Sequence, residues 1–403
     1  MYRLLAGWRP HLVLTLLTLL MLAPALLDPM PRTEAEGAFI AATRALAHAG
    51  VEPVGAPGAH WLGLAALHAT GTLLTDVVWP HRLPSVLCVI LAVLMVHQTG
   101  RVLLNKPIAL VGSALFAAAL ALGEAGAQAG ATAPALAAGL TLIYIVVRAF
   151  HQANGGPPLA VWQCHAFWIV LGLALLTQGL AWPAIALGLT IPLAARRRGV
   201  ARQGLAWLMP LRPFPGVVFL AALVAPWLAS LPDGTLAEAL WPGAPLSPAL
   251  VALPALAWPC WLFAYPAGRR LWEERADPAN LALGAWLVSG LILTPVLPDP
   301  GAAALAWAAP LALATGAALF AVRDGTYALF PKPLSLSVVG LWAVLAALAI
   351  SQLAEMPGTT AIVAAATAAL AAAYALILVW RGHYINAAMT GVLCALVLRL
   401  GGY

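Results

Sequence analysis

Apolar runs long enough to cross a bilayer recur along the whole chain. They begin near His11, Pro84, Pro107, Ala131, Leu159, Leu180, Pro215, Ala249, Asn280, Ala302, Pro333, Thr360 and Ile385. A run of about 20 apolar residues spans the roughly 30 Å hydrocarbon core as a helix. Backbone polar groups inside lipid must pair internally, so the spacing predicts an all-α polytopic membrane protein with about thirteen transmembrane helices. Of 403 residues, 63% are hydrophobic and 8% charged. That leaves too little polar surface to cover a water-soluble globule of this size. The stretch from His11 to Leu27, behind Arg3 and Arg9, has the outline of a secretory signal, with Ala23-Pro24-Ala25 as a weak cleavage site. The many later spans make it an uncleaved anchor.

The net charge of +6 comes from basic residues in short loops between apolar runs, which is a topology signal and not a nucleic-acid surface. The segment from Ala59 to Trp79 is apolar but carries His60, His68 and Asp76, and it either crosses or lies along the interface. If it does not cross, one face collects Arg3, Arg9, Arg101, Lys106, Arg148, the run Arg196 to Arg198, Arg202, Arg212, Arg269, Arg270, Arg275, Arg323, Lys332 and Arg381. Arg32, Arg44, Arg82 and Arg399 remain on the other. The positive-inside tendency therefore makes this segment an interfacial helix and puts the N-terminus in the cytoplasm of an inner-membrane protein. The loop from Asp28 to Arg82 then faces the periplasm or exterior, with Glu34, Glu36, Glu52, Asp76 and, at a span end, Glu124.

Cys88, Cys164, Cys260 and Cys394 are widely spaced in apolar segments, which predicts neither a disulfide nor a metal site. His60 and His68 are two helical turns apart, too far for a shared metal. His97, Gln163 and His165 lie inside apolar runs and read as interhelical hydrogen-bonding groups. The Trp residues near span ends, such as Trp79, Trp182, Trp241 and Trp380, suit an aromatic belt. Ala-rich stretches from Ala114 to Ala138 and Ala361 to Ala373 allow close helix packing, within the chain or against another subunit.

In the outer loop, Thr33 to His48 reads as a helix with Ala38, Phe39, Ala42 and Leu46 on one face. Thr33 as N-cap with Glu36 three residues on is a capping-box pattern, which accounts for both residue types without catalysis. Next come Gly55-Ala56-Pro57-Gly58 and Trp61, then Arg82-Leu83-Pro84-Ser85, Leu176-Thr177-Gln178-Gly179 and Ala225-Pro226-Trp227. In order and spacing this resembles, over about the first 320 residues, the aminoarabinose transferase and protein O-mannosyltransferase group of GT-C membrane glycosyltransferases. The resemblance implies a transmembrane core over 1–330 with interfacial helices in 28–82; beyond the match, further transmembrane helices are expected over 331–403, and, unlike in many relatives, no soluble C-terminal domain is expected. It also implies a polyprenyl-phosphate or phospholipid ligand and no other cofactor.

The departures fall on polar positions. The family's leading Asp is Thr33 here, the Lys of its Lys-Pro-Pro stretch is Gly55, a later Asp falls near Thr132, and the Lys of its Leu-Thr-Lys-Gly turn is Gln178. A Lys-Leu-Pro-x-Tyr element is replaced near Pro300 to Ala304. A lipid-phosphate leaving group needs cations or donors at the developing charge, and removing one such group costs roughly 2.7–4 kcal/mol of barrier. A carboxylate must also take or orient the acceptor proton. The candidates left are Glu34 and Glu124 as acids, with Glu36, Arg44, Arg82 and Gln178 toward a lipid phosphate or acceptor. Two readings follow: a catalytically degenerate frame serving as an accessory or scaffold subunit of a membrane complex, and an active polyprenyl-phosphate-sugar transferase using Glu34 or Glu124. A transporter is weaker, because no matching pair of Gly/Pro-broken helices divides the chain.

Overall fold

The computed structural model describes residues 9–49, 57–72, 77–195, 206–241, 257, 259–260, 264–297, 300–325 and 358–400. Their regular structure is helical, with no strand among them. In chain order the helices are α1 (Pro10–Leu27), α2 (Glu34–Ala49), α3 (Pro57–Thr70), α4 (Trp79–Leu103), α5 (Lys106–Ala117), α6 (Leu120–Ala127), α7 (Thr132–Ala153) and α8 (Val161–Gln178). They continue as α9 (Ala181–Ala195), α10 (Pro213–Ser230), α11 (Leu236–Leu240), α12 (Ala264–Glu273), α13 (Pro278–Ile292), α14 (Pro300–Arg323), α15 (Gly358–Trp380) and α16 (Tyr384–Leu400).

Six of the described helices, α1, α4, α7, α8, α10 and α14, are long and apolar enough to cross a membrane. A seventh span forms if α5 and α6, bent by 64°, are taken together, and shorter apolar helices occur within α9, α13, α15 and α16. The expected spans near Ala249 and Pro333 lie outside the described residues, as do Gly55, Glu52 and Asp76. Each other expected span starts within a few residues of a described helix. The run expected from Pro107 is not one straight helix, because its path turns at Ala118 and Ala119, both buried.

Local chemistry explains several boundaries. Asn105 caps α5 by accepting from the Ile108 amide at 2.9 Å, and Asp277 caps α13 by accepting from the Asn280 amide at 3.1 Å, each with a proline in the first helical turn. The apolar segment from Ala59 to Trp79 is not a single helix. α3 stops at Gly71, whose φ of +68° suits glycine, and Trp79-Pro80 opens α4 five residues ahead of the expected entry at Pro84. With only 14 residues, α3 reaches about 21 Å, too short to span. It packs against α2, α4 and the end of α8.

α7 and α14 form the centre of the bundle, with 83% and 94% of their apolar windows buried, whereas α1 and α10 run along its edge at 28% and 17%. Small residues permit the central contact. A Cβ on Gly112 of α5 would meet the Leu313 backbone at 2.9 Å, and one on Gly316 of α14 would meet the Ile108 carbonyl at 3.0 Å. The Ala114-to-Ala138 stretch is therefore spent inside the fold: most of its residues are buried.

This packing also fixes which helix ends lie together. His11 of α1 meets Gln98 of α4 at one end of the bundle, while Ala25 of α1 meets Arg82 of α4 at the other. The contact of Gly316 with Ile108 puts the Arg323 end of α14 with the turn at Asn105, on the His11 side.

Candidate functional site

Four segments converge at the Arg82 end: the last turn of α1, the connection to α2, the first turns of α4 and the exit from α6. Helix α1 ends with carbonyls that have no partner further along the helix. The guanidinium of Arg82 takes them up. Its Nη1 donates to the Ala25 and Asp28 carbonyls at 2.7 and 2.6 Å, and Nη2 donates to the Met30 carbonyl at 2.6 Å. Nε and Nη2 donate to the two oxygens of Glu36, at 2.7 and 3.0 Å, as a bidentate pair. All five N–H groups of the side chain are thereby used.

Glu36 is equally committed. Its Oε1 also accepts from the Ala129 amide at 2.9 Å, and its Oε2 from the Arg32 amide at 2.7 Å. Both side chains of the pair have zero exposure. Burial alone pushes the Glu36 carboxyl up, but the Arg82 hydrogen bond, the amides of Arg32 and Ala129 and the Arg82 charge outweigh it and hold the group below its ordinary value. A carboxylate so held is a poor proton acceptor.

Thr33 Oγ1 accepts from the Glu36 amide at 3.1 Å, so half of the expected capping box forms. The other half does not, because the Glu36 carboxylate turns to the Arg32 amide and to Arg82 and away from the Thr33 amide. Thr33 also donates to Gln128 Oε1 over 3.5 Å, tying the start of α2 to the end of α6. Asp28 accepts from the Met30 amide at 3.1 Å and from Arg32 Nε at 3.2 Å, and the Met30 amide foremost holds its carboxyl low.

The remaining candidates are arranged around this clamp. Glu34 is exposed on the first turn of α2. Glu124 is half-buried on α6, one helical turn before Gln128. Arg44 is half-buried on α2, and its charge acts on His81, the buried residue beside Arg82. Gln178, at the end of α8, is buried and accepts from Trp182 Nε1 at 3.2 Å. The turn after it is tightly covered: Gly179 has φ +63°, a Cβ there would collide with the Leu240 carbonyl, and that carbonyl accepts from the Leu180 amide at 2.8 Å. Thr132 opens α7.

The structure thus joins Glu36 to Arg82, brings Thr33 to Gln128 near Glu124, and leaves Glu34 outside the clamp. Sequence reasoning missed the Ala25, Asp28 and Met30 carbonyls, for main-chain acceptors leave no mark in residue type. It also missed the partners of His60, which is buried in α3, lies 2.8 Å from Thr43 Oγ1 through Nδ1 and stacks on Phe39 with centroids 4.2 Å apart. Burial pulls its imidazole down to about 4. His97 is buried in α4 with its ring edge-to-face on His11 of α1, centroids 5.3 Å apart, and a 2.6 Å hydrogen bond joins Gln98 and His11 between the same two helices. Cys88, Cys164, Cys260 and Cys394 are all free thiols. No cluster of three His, Cys, Asp or Glu side chains is placed to hold a metal among the described residues.

Residues 56–229 match the family model described as dolichyl-phosphate-mannose-protein mannosyltransferase. By sequence, no curated protein matches the chain. Among solved structures, ArnT from Cupriavidus metallidurans in the apo state superposes with a TM-score of 0.71 at 18% identity, covering 97% of this chain and 76% of that one. The same protein bound to undecaprenyl phosphate gives a TM-score of 0.68 at 18% identity, covering 97% and 75%. The archaeal oligosaccharyltransferase AglB from Archaeoglobus fulgidus, in complex with an inhibitory peptide and a dolichol-phosphate, gives 0.54 at 14% identity, covering 95% of this chain and 55% of that one. In fold over nearly its whole length, and in sequence across residues 56–229, the chain resembles the GT-C membrane glycosyltransferases of the aminoarabinose transferase and protein O-mannosyltransferase group.

Proposed function

We propose that this protein keeps the frame of a polyprenyl-phosphate-sugar transferase without its usual catalytic set, and serves as a lipid-carrier-associated accessory or scaffold subunit of a membrane complex. The observation that carries this reading is the saturation of Arg82 and Glu36. All donors of Arg82 and both oxygens of Glu36 are committed to the fold, so in this arrangement the cation has nothing left for a lipid phosphate and the carboxylate cannot serve as a base. At the position of the family's lysine, Gln178 is neutral and engaged with Trp182. At the position of its leading Asp, Thr33 is a helix cap.

In this reading the N-terminus is cytoplasmic, the loop over 28–82 faces the periplasm of an inner membrane, residues 1–330 form the transferase-like core, and 331–403 add membrane helices. The carrier lipid is a polyprenyl phosphate, the class named for the ArnT complex. Purification in a mild detergent is expected to retain a stable membrane partner. A chain that always migrates alone contradicts the accessory role.

A second reading has one observation in its favour. Glu34 is exposed on the first turn of α2, outside the clamp, where a carboxylate is available to an acceptor hydroxyl. On that reading the protein is an active transferase with Glu34, and Glu124 beyond it, in place of the lost acid. It predicts that Glu34→Gln abolishes transfer from a lipid-linked sugar.

A further inference from the structure

The outline of a secretory signal at the start of the chain is not absorbed by the functional reading. Arg3 and Arg9, an apolar stretch from His11 and the triplet Ala23-Pro24-Ala25 are the three parts such a leader needs, with small residues first and third before the bond to be cut. That bond joins Ala25 to Leu26. Helix α1 is weak there on its own. Pro24 lies in its last turn, where it has no amide to offer the Leu20 carbonyl and disfavours helical backbone at Ala23. A peptidase binds an accessible, extended chain, so cutting within a folded segment tracks the population that opens.

The clamp is what holds this segment shut. Ala25 is 4% exposed, and its carbonyl, the one that cleavage would attack, accepts from Arg82 Nη1 at 2.7 Å. The same guanidinium holds the Asp28 and Met30 carbonyls beyond the bond, each at 2.6 Å. Just before the bond, α6 closes on α1: a Cβ on Gly126 would meet the Leu22 side chain at 2.8 Å. The bond is therefore helical, covered and pinned on both sides.

The order of the chain adds a condition. Arg82 reaches the Ala25 carbonyl from 57 residues further on, at the start of α4. The lock therefore closes only once α4 has docked on α1. Until then the triplet and Leu26 form an unprotected leader site at the end of an apolar segment.

We propose that residues 23–26 are a latent leader-peptidase site, and that the Arg82 clamp makes α1 a permanent span by withdrawing the Ala25–Leu26 bond from cleavage. The reaction withheld is hydrolysis by the host's membrane leader peptidase, in which water leaves a carboxyl on Ala25 and an amine on Leu26. Retention of α1 thereby reports assembly, and a chain whose α4 fails to dock is shortened at its N-terminus. The inference rests on the orientation proposed above, which puts the clamp on the outer face where leader peptidases act. It is independent of whether the protein performs transfer.

The test is pulse-labelling of the full chain, tagged at both ends, in bacterial cells with an active leader peptidase, followed by intact mass and N-terminal sequencing of the C-terminally tagged product. Wild type, Arg82→Met and Arg82→Met/Ala25→Leu are compared. Wild type is expected to keep its N-terminal tag. Arg82→Met should yield a product that begins at Leu26, with the cleaved fraction raised at least about a hundredfold. The added Ala25→Leu should abolish that product, because a bulky residue before the bond blocks a leader peptidase but not general degradation of a misfolded chain. Folding of the variants is not required, since an open chain is what the enzyme cuts. A wild-type product beginning at Leu26 overturns the proposal, as does a Leu26 product that persists in the double variant. Protease added outside intact cells shows which side holds the N-terminal tag. An uncut Arg82→Met with the tag inside overturns the proposal alone, whereas a tag reached from outside overturns the orientation and the proposal with it.

Discussion

The two ends of the bundle use charge in opposite ways. At one, a single arginine and a single glutamate are wholly buried, hydrogen-bonded at every donor and acceptor site, and tied to four chain segments. At the other, Arg269–Glu273 and Arg270–Glu274 repeat along one helix as partly exposed i,i+4 pairs, and Glu274 also accepts from Asn280 Nδ2 of α13 at 3.0 Å. Burial is what separates them. A charge removed from water costs several kcal/mol unless its partners are complete, so such a pair persists only where its geometry is fully determined and then locks the segments that supply it. An exposed i,i+4 pair is worth ~0.3–0.5 kcal/mol. The clamp end is built to hold a shape, whereas the α12 pairs add little to it.

The comparison is broken most directly by removing one half of the clamp. Arg82→Met or Glu36→Leu leaves an uncompensated buried charge and should cost about 3–5 kcal/mol, read as a fall in melting temperature and in the yield of folded protein. The double replacement should cost less than the two singles added together. Additive effects would mean that the pair does not act as a unit.

Acid should affect the clamp end first. Glu36 is held below its ordinary value of 4.5, so its contribution is complete above that pH and is lost as the pH falls through the lowered value. His60, pulled from 6.5 to about 4, adds an earlier limb: it stays neutral in the fold while the unfolded chain takes a proton, so stability is lost as pH drops from 6.5 toward 4. This is on the order of 3 kcal/mol. Melting curves of His60→Phe across that window should be flatter than those of wild type. Parallel curves would remove His60 from the account.

Between the two ends, the α5–α14 contact depends on the absence of a side chain. Gly112→Val should cost about 1–3 kcal/mol by forcing a Cβ into the Leu313 backbone, again measured as melting temperature. The smallest effect belongs to the exposed pairs. Arg270→Gln should change stability by no more than about 0.5 kcal/mol. A cost similar to that of a clamp variant would erase the distinction between the ends.

Much of the scaffold was legible in the sequence because span length and turn chemistry are local properties. Runs such as Thr132–Ala153 announce themselves by composition, and Asn105 and Asp277 mark helix starts by residue type. The site was only partly legible. Glu36 and Arg82 were identified as polar residues that matter, but as phosphate or acceptor ligands; nothing in the sequence showed that, 46 residues apart, they satisfy each other. The carbonyls of Ala25, Asp28 and Met30 carry no residue signature, and the same sequence pattern fits a capping box that forms only in half. The bend between α5 and α6 was hidden for a related reason: its turn falls on alanines, without the glycine or proline that usually marks a break.

The most direct measurement of the central claim, that the charges of the 28–82 loop hold a frame and do not perform transfer, is the glycolipid and glycoprotein profile of cells carrying Glu34→Gln in place of the wild-type chain, with the variant present at equal abundance. The account predicts an unchanged profile. Loss of a sugar-modified product in that folded variant, with accumulation of its lipid-linked donor, would contradict it.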